Sequence, residues 1–288
     1  MAPNAGREKL KSPDLARRIV ATTTSASWRK IPHVSFTLEL DCTELVRQYA
    51  AQKQRAAEDS RISVPLNTLI VKLIADALAP FPKLYGSFSY NRLTNRPSWR
   101  LSESVNINMP WRLPDGQMIP IIFRDVNGKS LAGFSEEVEH IRAELPDLDI
   151  DREMLFAAKR DTGRRLRSLK LSALSRVIPL ELIRIAGHYK EEKDSPPLVD
   201  PDGVVVSNAG SLLGSLKGRF AMLEIIEPKI MAIGIGSIDD SAAVSSGALT
   251  VKRTLPLTIA FDHRAIDLGD IVPFMQKLSE DTANFNFE

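Results

Sequence analysis

The sequence predicts an α/β fold built on a mixed β-sheet, and three observations lead there. Segments with the period-2 pattern of strands interleave with segments of helical period along the chain. Strand candidates come from both ends of the sequence, which favours one domain closing on itself over two separate ones. The length, 288 residues, is enough to bury a sizeable core of that kind.

The elements follow in order. Residues 1–15 carry Arg7, Glu8, Lys9, Lys11 and Asp14 without an apolar core, so no secretory signal is visible and they read as a flexible tail before a domain at 16–288. Val34, Phe36, Leu38 and Leu40 alternate with Ser35, Thr37 and Glu39, the period of a half-buried strand. Asp41 and Glu44 supply a capping-box-like start for a helix reaching about Ala57. Leu66, Leu69, Ile70, Leu73, Ile74, Ala77 and Leu78 recur at helical spacing, predicting a core helix stopped by Pro80 and Pro82. Strand signals return at Val105, Ile107 and Met109, which alternate with Asn106 and Asn108, and again from Met118 to Phe123. Ser135, followed by Glu136, Glu137, Val138, Ile141 and Leu145, reads as the cap of an amphipathic helix.

An insert is expected at about 151–190. Its first half is basic, with Lys159, Arg160, Arg164, Arg165, Arg167 and Lys170, and its second half is apolar from Leu174 to Ile185 around Pro179. A helical hairpin with one solvated face is one reading; a channel cap, or a basic patch facing phosphates or a membrane surface, is the other. A charged, proline-rich loop from Lys190 to Pro201 leads to an apolar strand at Val204-Val205-Val206. A last strand, Leu257 to Phe261, is followed by a helix through Ile271, Phe274, Met275 and Leu278.

Bulk properties exclude several classes. Lysine plus arginine number 38 against 36 aspartates and glutamates, a net +2 that argues against a dedicated nucleic-acid binder. Cys42 is the only cysteine, so an intrachain disulfide is impossible, a thiolate metal site is unsupported and a reducing compartment is expected. Lys72, Asp76, Glu181 and Arg184 interrupt the best apolar runs before spanning length, so a soluble, cytoplasmic protein without bound metal is expected. Gly234-Ile235-Gly236 lacks the third glycine of a dinucleotide loop and reads as close backbone packing.

Two segments offer chemistry. Asp262-His263-Arg264-Ala265-Ile266-Asp267 places a histidine at a strand end, where a general base is held rigidly. Val204-Val205-Val206-Ser207-Asn208-Ala209-Gly210 delivers a hydroxyl at the end of another strand, a candidate oxyanion donor. Read alone, the His263/Asp267 spacing is weak evidence and fits a capped helix start with Asp267 as a turn residue better than it fits catalysis, while Ser207 has the further reading of a strand-end serine satisfying a backbone group. The other histidines compete poorly and read as surface or packing residues: His33 follows a proline at a strand start, with lining the site as its second reading, and His140 and His188 lie in predicted helices beside charged or aromatic neighbours.

Four segments, in order, resemble the catalytic domain of the dihydrolipoyl acyltransferases of 2-oxoacid dehydrogenase complexes, and more remotely chloramphenicol acetyltransferase. They are Arg17-Arg18-Ile19-Val20-Ala21 with Ile31-Pro32-His33-Val34-Ser35-Phe36-Thr37; Ile62-Ser63-Val64-Pro65-Leu66-Asn67; Val204 to Gly210 with Glu227-Pro228-Lys229-Ile230-Met231-Ala232-Ile233-Gly234; and Phe261 to Asp267. The resemblance implies a chloramphenicol acetyltransferase-like two-layer sandwich and coenzyme A-dependent acyl transfer. His263 is then the base that activates a thiol, since a free thiol near pKa 8.5 is only a few per cent ionised at neutral pH, and Ser207 stabilises the oxyanion. It implies further that Asp267 orders the loop through an arginine, with Arg17 the best match and Arg264 a second. A homotrimer is implied, whose active sites lie between subunits, His263 of one chain facing Ser207 of its neighbour. The acyl acceptor is a dihydrolipoyl group or carrier protein presented in trans, or a small alcohol, amine or thiol.

Two departures bear on these expectations. Asp267-Leu268-Gly269 replaces the family's Asp-Gly, with the distance to Phe274 kept. No lipoyl domain, hence no lipoyl group on this chain, no peripheral-subunit-binding domain and no apolar C-terminal anchor are expected. Two further readings stay open: condensation or hydrolysis on the same fold, and a trimeric scaffold that has lost the chemistry.

Overall fold

The computed structural model describes residues 15–58, 64–113, 116, 118–145 and 202–287. The expected insert at 151–190, and the tail apart from Leu15, lie outside them. The chain divides into two units. Among described residues the first holds 15–26 of helix α1 (Leu15–Lys30), and the second, from Ser27 onward, holds all the strands.

The main sheet runs β1 (His33–Asp41), β9 (Ala248–Asp262), β7 (Met231–Ile235), β6 (Val204–Asn208), β4 (Ile107–Arg112), β5 (Met118–Phe123), with β8 (Asp239–Ser245) paired to the first half of β9. Strand β6 is parallel to β4 and β7, and the other pairings are antiparallel. The sheet is therefore mixed, as the sequence predicts. Its central strands are nearly continuous apolar runs because both faces are covered. On one face lie α2 (Thr43–Glu58), α3 (Leu66–Leu78), α5 (Leu131–Glu144) and α7 (Leu268–Ala283), where Leu40, Leu45, Ile70, Ile74, Leu257 and Leu278 converge. The other face is covered by residues 218–226, whose Phe220, Leu223 and Ile225 pack with Ile31 over Val205, Ala232 and Ala260. Small residues on that face let the cover approach closely. A Cβ on Gly234 would stand 2.4 Å from the Phe220 ring, which bears out the packing role read for the Gly-Ile-Gly segment.

Several local expectations change. Helix α5 begins five residues before Ser135's expected cap: Ser130 is its N-cap, accepting from the Gly133 N–H at 3.1 Å, while Ser135 is buried inside the helix. The acidic pair after Ser135 mimics a helix start, but Leu131 and Phe134 already face the protein. The capping box of α2 does not form, because Cys42 accepts the first helical bond, from Val46 N–H. Asp41, one residue earlier, binds Thr43 N–H and hydroxyl at 3.1 and 2.7 Å. Phe36 is half-exposed because β1 is an edge strand. Strand β9 starts nine residues before Leu257 in a hairpin with β8, and a separate hairpin, β2 (Ser87–Asn91) with β3 (Arg96–Arg100), precedes β4; neither hairpin is read from the sequence.

Cys42 lies in the core, its thiol donating to the Arg253 carbonyl at 3.3 Å. Burial, countered only in part by Arg253, pushes its pKa up to about 11. Native protein treated with iodoacetamide near pH 8 is expected to stay unlabelled by mass spectrometry, with full labelling after unfolding.

Candidate active site

Strand β9 delivers His263. Backbone bonds tie the strand down on both sides up to that residue, from Asp262 N–H to the Ile230 carbonyl (2.9 Å) and from His263 N–H to the Pro32 carbonyl (3.2 Å). The chain then turns, with the N–H groups of Ala265 and Ile266 both donating to the Asp262 carbonyl, and α7 starts after Asp267. The Asp270 carboxylate accepts from the Asp267 N–H at 2.9 Å and pairs with Lys83 at 2.9 Å.

The imidazole of His263 is half-exposed. Its Nδ1 lies 3.1 Å from Asp267 Oδ1 and 3.3 Å from the Ile266 carbonyl. A carbonyl and an ionised carboxylate are both acceptors, so this nitrogen carries the proton, an assignment made from its partners. In the neutral ring the lone pair is then on Nε2, which has no hydrogen-bond partner among the described residues. That is the form a general base needs.

The arginine next to it does something other than expected. Arg264 does not pair with Asp267. Its Nε and Nη2 reach the Asp262 carboxylate at 2.9 and 2.6 Å, and its backbone N–H adds a third bond at 2.9 Å. Asp262 is only 1% exposed and needs a counter-charge, whereas Asp267 faces water. Arg264 also touches Glu227 at 3.4 Å and lies over the Phe88 ring at 5.6 Å, and Glu227 in turn pairs with Lys30 at 3.3 Å. Burial works against the guanidinium's charge, but Asp262 and then Glu227 outweigh it and raise its pKa above the ordinary value. Arg17 is an exposed residue of α1, in the other unit of the chain.

Asp262 and Glu227 were missed at the sequence level. Asp262 carried a usable signal, a lone carboxylate closing an apolar strand two residues before an arginine. Glu227 carried none, because its partner is 37 residues away. His33 is a packing residue: its Nδ1 is 2.8 Å from the Ile31 carbonyl, its Nε2 accepts from the Ile225 N–H at 3.0 Å, and Trp28 stacks on it. His140 sits on exposed α5 turns beside Glu144, and His188 lies outside the described residues. Leu268 is the first residue of α7, with its side chain exposed and no positive φ, so the helix start accommodates it in place of a glycine.

Ser207, on β6, pairs in register with Gly234, and Gly234 pairs with Thr258. Its hydroxyl shares the sheet face covered by Phe220. His263 is five residues beyond Thr258, so the two side chains of one chain are separated by about 16 Å along the strand direction alone. Within a protomer the expected base and oxyanion donor do not meet. Among the described residues no group of three or more His, Cys, Asp or Glu side chains is placed to hold a metal, and no helix is long and apolar enough to cross a membrane.

The fold and its strand-end histidine define the class: a two-layer α/β sandwich of acyltransferase architecture. The chain belongs to the family of 2-oxoacid dehydrogenase acyltransferase catalytic domains, whose model matches residues 7–152 and 175–286. It is 26% identical over 266 residues to the dihydrolipoyllysine-residue acetyltransferase component of the pyruvate dehydrogenase complex from Buchnera aphidicola, covering 92% of this chain and 52% of that protein. The chain thus spans about half the length of the curated relatives it matches. A probable dihydrolipoamide acetyltransferase from Listeria monocytogenes has the same fold, with a TM-score of 0.68 at 18% identity over 99% of this chain and 98% of the other. So does the dihydrolipoamide acetyltransferase of Azotobacter vinelandii, with a TM-score of 0.65 at 20% identity over 99% and 96%, solved to examine a serine, a histidine and an asparagine in its catalytic mechanism.

Proposed function

We propose that this protein catalyses coenzyme A-dependent acyl transfer to or from a dihydrolipoyl-type thiol, in active sites completed between copies of the chain. The observation that carries this reading is the placement of His263, whose Nδ1 lies against two acceptors, Asp267 and the Ile266 carbonyl, while Nε2 has no hydrogen-bond partner among the described residues. Nε2 removes the proton of the incoming thiol as its sulfur attacks the thioester carbonyl. The carbonyl oxygen becomes an oxyanion that accepts a hydrogen bond from the Ser207 hydroxyl. The bond from carbon to the departing sulfur then breaks, and that thiolate recovers the proton from the imidazolium. Asp267 holds the ring and stabilises its charged form without taking the proton. Coenzyme A is a substrate here, and no step asks for a metal.

The separation of His263 from Ser207 within one protomer supports sites that join His263 of one chain to Ser207 of another, and a homotrimer is the assembly that the family resemblance implies for them. The lipoyl group would be presented by another protein, in a cytoplasmic setting.

The test is release of free thiol on mixing the purified protein with acyl-coenzyme A and dihydrolipoamide; no release above background sinks the reading. Ser207→Ala is expected to lower kcat by about 10²–10³-fold, the usual loss for one oxyanion donor. Mixing Ser207→Ala chains with His263→Ala chains, after dissociation and reassembly, should restore part of the activity, because some sites then combine an intact serine with an intact histidine. No restoration would mean that the site does not cross a subunit boundary.

A further inference from the structure

His263 is held in place by very little of its own. Among the described residues its ring has two polar contacts, Asp267 and the Ile266 carbonyl, and both belong to the same short turn. The aim of Nε2 is therefore only as good as the rigidity of residues 262–267. Side chains from outside grip that turn, directly or through Glu227. The loop before β7 contributes Glu227 to Arg264, and the end of α1 braces Glu227 through Lys30. The β2–β3 hairpin contributes the Phe88 ring beneath Arg264 and the Trp99 indole N–H, which donates to the Ala265 carbonyl at 3.2 Å. Arg264 joins these grips to the strand end through its fork on buried Asp262.

We propose that Asp262, Arg264, Glu227 and Trp99 are positioning residues for His263, a clamp in which Arg264, seated on the buried Asp262 carboxylate, and the Ala265 carbonyl tie the catalytic turn to Glu227 and Trp99 outside it. The proposal rests on His263 being the base. The physical logic is that a planar guanidinium bound through two nitrogens resists rotation, while a single ammonium contact pivots. The carboxylate anchoring it is the last residue of β9, so the clamp starts where the sheet's own hydrogen bonds stop. A base displaced by about 1 Å loses on the order of 10²-fold in rate even when substrate binding is intact.

The experiment compares full-length Arg264→Gln, Arg264→Lys, Glu227→Gln and Trp99→Phe with the wild type. Steady-state kinetics are measured along with imidazole nitrogen shifts of ¹⁵N-histidine-labelled protein, in which His263 is assigned by its loss in His263→Ala. In Arg264→Gln, kcat is expected to fall about 10²-fold with KM within about twofold, the pattern of lost transition-state positioning. The His263 signals should move from one Nδ1-protonated tautomer toward an average of two. Arg264→Lys should recover part of both, because charge returns without the fork. Trp99→Phe keeps an aromatic ring while losing the indole N–H and the fused pyrrole, and Glu227→Gln keeps the side-chain shape while removing its charge, so these two decide the matter if Arg264→Gln does not fold. A structural role alone would lower Tm and leave both kcat and the imidazole spectrum of folded protein unchanged, and that result overturns the proposal. If the wild type shows no acyl transfer, the function proposed above fails while the nitrogen shifts still decide whether the clamp orders His263.

Discussion

His263→Ala is expected to lower kcat for acyl transfer by about 10²–10⁴-fold, the range for losing a positioned general base. It should do so without unfolding the protein. The side chain is half-exposed, its polar contacts lie within its own turn, and the turn is held by Asp262, Arg264 and Trp99, all of which remain. KM should change little, because the imidazole acts on the thiol proton more than on the body of either substrate. His33→Ala makes the contrast. Both nitrogens of that ring are engaged by backbone groups, so its loss leaves the Ile225 N–H unpaired and costs about 1–3 kcal/mol of stability. Paired measurements of kcat and thermal midpoint should separate the two histidines; equal turnover in wild type and His263→Ala would remove the base from the mechanism.

Gly203→Ala is expected to be the most damaging small substitution for the fold. Gly203 has φ of +93°, a conformation costly for any residue with a Cβ, and a Cβ there would lie 2.2 Å from the Asn106 carbonyl oxygen. That contact has no room to relax. The Gly203 N–H donates to the Tyr85 carbonyl and the Val204 N–H to the Asn106 carbonyl, so backbone is fixed on both sides where β6 begins. A destabilisation of about 3 kcal/mol or more follows from strain plus clash. Because Ile107 pairs with Val204 in the same place, the shift would travel along β6 to Ser207, and activity should fall in the fraction still folded. Urea unfolding of purified Gly203→Ala checks this; a midpoint within error of wild type would contradict the close approach.

Much of the architecture was legible because it rests on local periodicity. The helix at 66–78 and the strand at 118–123 appear at the limits expected, since each carries a repeating apolar pattern that needs no distant partner. Helix α5 was misplaced by five residues because Ser130 and Ser135 offer the same cap chemistry, and only the packing of Phe134 against Phe123 selects the earlier one. The β8–β9 hairpin carries strand signals in Leu249 and Val251, which alternate with Thr250 and Lys252 after Ser246-Gly247, but its apolar side chains face out in the fold, so it adds nothing to a core pattern. At the site, strand-end position made His263 and Ser207 candidates, and the family resemblance of the segments that carry them set them above the other histidines and serines. The counter-ion of Arg264 was not readable that way, since choosing between Asp262 and Asp267 depends on which carboxylate is out of water.

By itself the sequence determined the class of fold and the chemical groups on offer: a mixed sheet, helices at stated places, an imidazole at one strand end and a hydroxyl at another. These follow from short-range rules of period, capping and strand length, which act within a few residues. Only the tertiary structure decided strand order, the closing of Arg264 onto Asp262 and Glu227, the acceptors that His263 Nδ1 faces, and the distance between the imidazole and the hydroxyl within one chain. Those depend on pairings across tens to hundreds of residues and on desolvation, and both quantities exist only once the chain has folded.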